Sequence, residues 1–134
     1  VDVRSIDAPR QRPAPQHFSG VTLDGAHVSQ EFEGLTLLIA IKSRCDGCRD
    51  IINSSLEEFA DLRVIFVSAT NDDDDEWSDS AHAIIVAPAL LAELDIAWPP
   101  FYVLIDALTQ RVVCEGVVFG PSQIRDEIAE FVAL

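Results

Sequence analysis

Thr36-Leu37-Leu38-Ile39-Ala40-Ile41, followed three residues later by Cys45-Asp46-Gly47-Cys48, is the stretch that decides the fold. The first six residues are almost wholly apolar. Such a run suits a strand buried on both faces, as in a parallel sheet. After the cysteines, Ile51, Ile52, Leu56, Phe59, Ala60 and Leu62 recur at helical spacing, which predicts a helix. Arg63 to Ala69 then reads as a second buried strand. The cysteine pair therefore lies between a strand and a helix, inside a βαβ unit whose parallel strands need a crossover connection.

Outward from this unit the chain supplies further elements. Phe18 to Ser29 alternates loosely around Asp24-Gly25, a hairpin signal in which both turn residues are expected at positive φ. Ala83 to Ala87 predicts a short strand, and Pro88 to Leu94 a short helix with proline in its first turn. Phe101 to Asp106 and Arg111 to Gly116 predict a second hairpin, with Gln110 in the connection. Ser122 is expected to cap a last helix that carries Ile124, Ile128, Phe131 and Val132 on one face. The order is β-hairpin, βαβ, connection, β-hairpin, α. Residues 1–12, with Pro9, Arg4, Arg10 and Arg12 and few periodic apolar positions, are expected to be a linker or flexible arm.

Composition limits the function. A chain of 134 residues, 49% hydrophobic, fits one domain and argues against disorder. With 9 basic and 23 acidic residues the net charge is −14, which speaks against binding nucleic acid or an anionic membrane surface. Three cysteines are too few for a disulfide-stapled scaffold. No apolar run approaches the roughly 20 residues of a membrane span. The sequence starts at Val1 and contains no methionine, so a processed form or excised domain is expected, with an upstream segment such as a membrane anchor removed.

Chemistry concentrates at Cys45 and Cys48. A C-x-x-C at the first turn of a helix brings two thiols close enough for a small disulfide ring. Unpaired N–H groups and the helix dipole favour the thiolate of the first cysteine. The second points inward and acts as the resolving thiol. Asp46 places an anion beside the future thiolate, while Arg44 and Arg49 act in the opposite sense. Gly47 is expected to leave room for a substrate backbone.

The pair has competing readings. As half of a zinc site it needs two more ligands, and Cys114, His17, His27 and His82 are single and scattered. The run Asn71-Asp72-Asp73-Asp74-Asp75-Glu76 lacks the alternating ligands and placed glycine of a calcium loop, so it reads as a solvated loop. Cys114, beside Val112 and Val113, reads as a small hydrophobe in a strand. No cofactor and no metal are expected.

These residues resemble the thioredoxin-like superfamily, in particular the TlpA-type thiol–disulfide oxidoreductases of bacteria. The resemblance covers roughly residues 13–134. It rests on Pro13 to Phe18 with Leu23-Asp24-Gly25 and Val28-Ser29, on Leu37 to Cys48, on Trp98-Pro99-Pro100 with the strand Phe101 to Asp106, and on Gly116 with the closing helix. It implies an α/β thioredoxin-like fold: a central mixed sheet flanked by helices, with an N-terminal β-hairpin extension. It also implies a cis bond before Pro100 that faces the pair, and a substrate backbone that pairs with Pro99. The departures are Arg44 where the family usually has tryptophan, Asp46-Gly47 where two prolines are common, and Ile39 where classical thioredoxins bury an aspartate.

The expected function is thiol–disulfide exchange with partner proteins, with Cys45 and Cys48 catalytic and Pro99, Pro100, Arg44, Asp46 and Gly47 lining the substrate surface. Partners would be protein thiols or disulfides and an upstream redox protein that recycles the pair; a monomer is expected. The expected location is extracytoplasmic, with tethering through the missing segment, and the cytoplasm is the alternative. Two other functions compete. A peroxiredoxin-like thiol peroxidase usually carries Pro-x-x-x-Thr-x-x-Cys, whereas Lys42 stands three residues before Cys45. A non-catalytic binding module would use the same fold without turnover.

Overall fold

A computed structural model describes residues 12–70, 77 and 82–132. The flanking strands are β1 (Arg12–Pro13), β2 (His17–Thr22) and β3 (His27–Glu31). The βαβ unit follows as β4 (Leu35–Ile41), α1 (Asp46–Ile52), a 3-10 turn (Glu57–Phe59) and β5 (Arg63–Ser68). Then come β6 (Ile84–Val86), α2 (Pro88–Glu93), β7 (Phe101–Asp106), β8 (Arg111–Val117) and α3 (Pro121–Ile128). The eight strands of the described residues join one mixed sheet in the order β1-β8-β7-β4-β5-β6-β2-β3. β4 runs parallel to β5 and antiparallel to β7. This is the expected mixed sheet with helices and an N-terminal hairpin.

The pattern of β4 explains its central place. Leu37, Ile39 and Ile41 face one side and pack with Ile51, Ile52, Phe59, Ile124 and Ile128. Leu38 and Ala40 face the other and pack with Leu90, Leu91, Val103, Phe18 and Phe32. Both faces are thus covered, one by α1 and α3, the other by α2 and the N-terminal hairpin. Each fully buried Leu or Ile contributes about 1.5–3 kcal/mol relative to an exposed one.

Several local expectations change. The helical pattern after the cysteines does not form one helix. It stops at Ile52, Asn53 caps it, and Ser54 Oγ donates to the carbonyl of Asp50 at 2.7 Å. Asn and Ser compete for backbone groups in this way. Ala60, expected on the apolar face, is exposed. In the first hairpin only Gly25 takes positive φ, at 91°. The Gly25 N–H donates to Thr22 O and the Thr22 N–H to Ala26 O, so the connection is a three-residue loop with glycine at its left-handed position. Ser122 does not cap α3: Gly120 holds that position and Pro121 opens the helix. Ser122 Oγ instead meets Glu58 Oε2 at 3.4 Å.

The N-terminal segment is tied down from Arg12 onwards. Arg12, assigned to the arm by sequence, pairs with Val112 in the sheet, and its guanidinium grips Glu115 at 2.8 and 3.0 Å. The rest of that arm, residues 1–11, and the acidic stretch Asp72–Glu76 lie outside the described residues. No helix among the described residues is long and apolar enough to cross a membrane.

Candidate functional site

The C-terminal end of β4 delivers the chain to the cysteine pair through Lys42, Ser43 and Arg44. Arg44 turns the backbone with φ 58°, a left-handed conformation uncommon outside glycine. Cys45 follows in extended conformation (φ −130°, ψ 114°) and occupies the N-cap of α1. Its Sγ accepts the Cys48 N–H at 3.2 Å. A sulfur thus stands where serine or aspartate usually caps.

Cys48 lies one turn further in and is fully buried. Its Sγ accepts the Lys42 N–H at 3.4 Å. Both thiols are free, Cys45 partly accessible and Cys48 not. Burial, followed by the hydrogen bond to Cys45, pushes the Cys48 thiol up to about 12 from an ordinary 9.0, against the pull of the Lys42 N–H. The expected order of the two cysteines, open first and enclosed second, is therefore present in the geometry.

The peptide bond between Pro99 and Pro100 is cis. The Pro100 ring sits on α1: a Cβ built on Gly47 would stand 3.1 Å from Pro100 Cγ and 3.6 Å from Cδ. Pro100 thus takes the space that a side chain on Gly47 would need, while Gly47 itself stays exposed. On its other side Pro100 O accepts the Val118 N–H at 3.0 Å, which joins the proline loop to the turn before α3.

Charge around the pair is solvated. The Asp46 side chain is 97% exposed and meets Arg49 at 3.5 Å. Solvent and this pairing screen its effect on the neighbouring sulfur. Lys42 and Arg44 are exposed too. Among the described residues no three of His, Cys, Asp and Glu come together as a metal site. His17 bonds Ser29 Oγ at 2.6 Å across the first hairpin, and His82 lies against the Phe66 ring at 5.3 Å. Cys114 is buried in β8 with its Sγ 3.4 Å from Tyr102 Oη and 3.7 Å from Glu127 O.

Sequence reasoning singled out Cys45, Cys48, Gly47, Pro99 and Pro100, and the structure gathers them. It missed what surrounds them. Trp98 and Phe119, 78% and 83% exposed, flank the proline loop as large apolar side chains. Two apolar residues beside Pro-Pro and Gly-Pro turns are the only sequence signal for them.

A mixed sheet with a C-x-x-C at the strand–helix junction and a facing cis-proline defines the thioredoxin-like fold. No protein-family model and no curated protein matches the sequence. Solved structures match with the same fold. The thioredoxin domain of a thiol–disulfide oxidoreductase from Bacteroides vulgatus superposes with a TM-score of 0.70 at 18% identity, covering 91% of this chain and 96% of its own. A thiol:disulfide interchange protein from a Bacteroides species gives 0.66 at 18% identity, over 93% and 91%. The exposed lipoprotein thioredoxin Etrx1 of Streptococcus pneumoniae gives 0.63 at 19% identity, over 86% and 96%.

Proposed function

We propose that the protein is a thiol–disulfide oxidoreductase that exchanges disulfides with partner proteins through Cys45 and Cys48. The observation that carries this reading is the pairing of an accessible Cys45, at the helix N-cap, with an enclosed Cys48 whose N–H reaches the Cys45 sulfur at 3.2 Å. Two proteins of the same fold, a thiol–disulfide oxidoreductase and a thiol:disulfide interchange protein, support it.

In the reducing direction the Cys45 thiolate attacks one sulfur of a partner disulfide. A mixed disulfide forms, the partner's S–S bond breaks, and its departing thiolate takes a proton from solvent. Cys48 then loses its proton and attacks Cys45 Sγ. The internal disulfide forms and the second partner thiol leaves, so two electrons pass to the partner. Oxidation is the same sequence reversed, and a second redox protein resets the pair.

Pro99, Pro100, Arg44, Asp46 and Gly47 make up the surface on which the partner's cysteine segment lies. Pro99 has no N–H, so it offers that segment only its carbonyl as a hydrogen-bond acceptor. We place the protein outside the cytoplasm, as the exposed lipoprotein among its structural matches suggests, and working as a monomer.

Reduction of insulin with dithiothreitol as donor tests the reading, on wild type and three single Cys→Ser variants. Cys45→Ser should abolish activity, Cys48→Ser should accumulate mixed disulfide, and Cys114→Ser should be nearly silent. Full activity in Cys45→Ser would end it.

A further inference from the structure

Tyr102 stands two residues after the cis-proline and is fully buried, so its hydroxyl needs a partner inside the fold. It donates to Glu127 Oε1 of α3 at 2.6 Å. Gly116, opposite Tyr102 in β8, leaves the room: a Cβ there would lie 3.2 Å from both Glu127 Oε1 and Tyr102 Cε1. The other carboxylate oxygen, Oε2, accepts from Gln123 Nε2 at 2.9 Å.

Gln123 in turn builds the turn before α3. Its Nε2 donates to Val117 O at 2.9 Å, and its Oε1 accepts the N–H groups of Phe119 and Gly120 at 2.8 and 3.3 Å. Inside that turn the Val118 N–H holds Pro100 O. The bonds form a closed circuit from Pro100 along β7 to Tyr102, through Glu127 and Gln123, and back through Val118. Pro100 is also the residue whose ring rests on Gly47, between the two cysteines.

We propose that Glu127 is a positioning residue for disulfide exchange: by holding Tyr102 with one oxygen and Gln123 with the other, it fixes the Pro100 loop and the Val117–Gly120 turn where a partner segment docks beside Cys45. This rests on the exchange function proposed above. Glu127 lies 79 residues beyond Cys48 in the chain and carries out no chemistry on the sulfurs. Its effect falls on large partners, which must align a backbone with the loop. A small disulfide needs only access to Cys45.

The test compares Glu127→Ala, Glu127→Gln and wild type on insulin and on dithiobis(nitrobenzoate). Glu127→Ala should raise the KM for insulin by about threefold to tenfold, as misplaced docking groups do, with the small-disulfide rate within about twofold of wild type. Glu127→Gln should restore the insulin KM, since its amide oxygen can accept from Gln123 while its NH2 donates to Tyr102 Oη. By NMR, Glu127→Ala should speed exchange of the Val118 amide and move the Gly47 resonance. An unchanged insulin KM, a parallel loss on both disulfides, or an unaltered Val118 amide would overturn the proposal. If the wild type reduces neither disulfide, the exchange function fails, and the proposed role of Glu127 in exchange falls with it; the Val118 amide would then show only whether Glu127 orders the turn.

Discussion

Gly47 is in contact with Pro100 across the two halves of the fold, close enough that one methyl group on Gly47 would stand 3.1 Å from the proline Cγ. Glycine is needed here for that contact and not for an unusual backbone angle, since Gly47 is an ordinary residue of α1. Gly47→Ala should therefore separate stability from function. Alanine favours a helix by roughly 0.5–1 kcal/mol, which offsets the tight contact, so Tm should stay within a few degrees. Insulin reduction should fall by about threefold or more as the Pro100 loop is pushed aside. Equal activity to wild type would show that the loop's position is not critical.

The raised Cys48 thiol makes the second half-reaction depend on pH. The thiolate is the attacking form, and below a thiol's pKa its population rises tenfold per pH unit. In the mixed disulfide the contribution of Cys45 is gone but burial, the larger cause, persists. Burial therefore still holds the Cys48 thiol up in that state, against the pull of Lys42. Release of a partner from the mixed disulfide should accelerate by close to tenfold per unit from pH 7 to pH 9. Stopped-flow measurement of that step checks it. A plateau below pH 8 would mean that Cys48 loses its proton more easily than its burial implies.

Helix α2 ends in a turn that wants glycine and has aspartate. The Ile96 N–H donates to Leu91 O at 3.0 Å and the Asp95 N–H to Ala92 O at 3.1 Å, the two bonds of a Schellman motif. Asp95 stands at its left-handed position with φ 56°. Asp95→Gly should stabilise by about 0.5–1 kcal/mol, a Tm increase of roughly 2–5 °C. Asp95→Asn, which drops the charge and keeps the Cβ, should change Tm little. Thermal unfolding of the three proteins decides the point.

Gly20 is the reverse case, where no side chain fits. A Cβ on it would lie 2.6 Å from Val86 O and 2.8 Å from Ile85 Cγ2. This is the crossing at which β2 meets β6, through Val21 with Val86 and Thr22 with Ile85. Gly20→Ala should cost about 1–3 kcal/mol, since backbone has to move. Urea unfolding should show it as a lower midpoint. Unaltered stability would mean that the hairpin docks less tightly on β6.

What could be read from sequence followed from periodicity. The buried runs of β4, β5 and β7 have no competing interpretation, and the cysteine pair falls between the first two by chain order alone. Pro100 became legible only through a family resemblance, because Pro-Pro before a strand equally suits an edge. The break at Asn53 was hidden because Leu56, Phe59 and Leu62 continue an apolar spacing that a 3-10 turn and a loop can also bury. The Tyr102–Glu127–Gln123 connection carries no sequence signal. It joins residues 25 and 4 positions apart through side-chain geometry that exists only once β7, β8 and α3 are packed.

The border of the sheet limits where another protein can join it. Among the described residues one border is β1 (Arg12–Pro13), in which Pro13 lacks an N–H and Arg12 is held by Glu115. The other is β3, a short strand of His27, Val28, Ser29, Gln30 and Glu31 with little apolar surface. Neither suits the addition of a further strand from a second molecule, the route by which exposed sheets grow into aggregates. The partly accessible sulfur of Cys45 follows β4, inside the strand order and away from both borders.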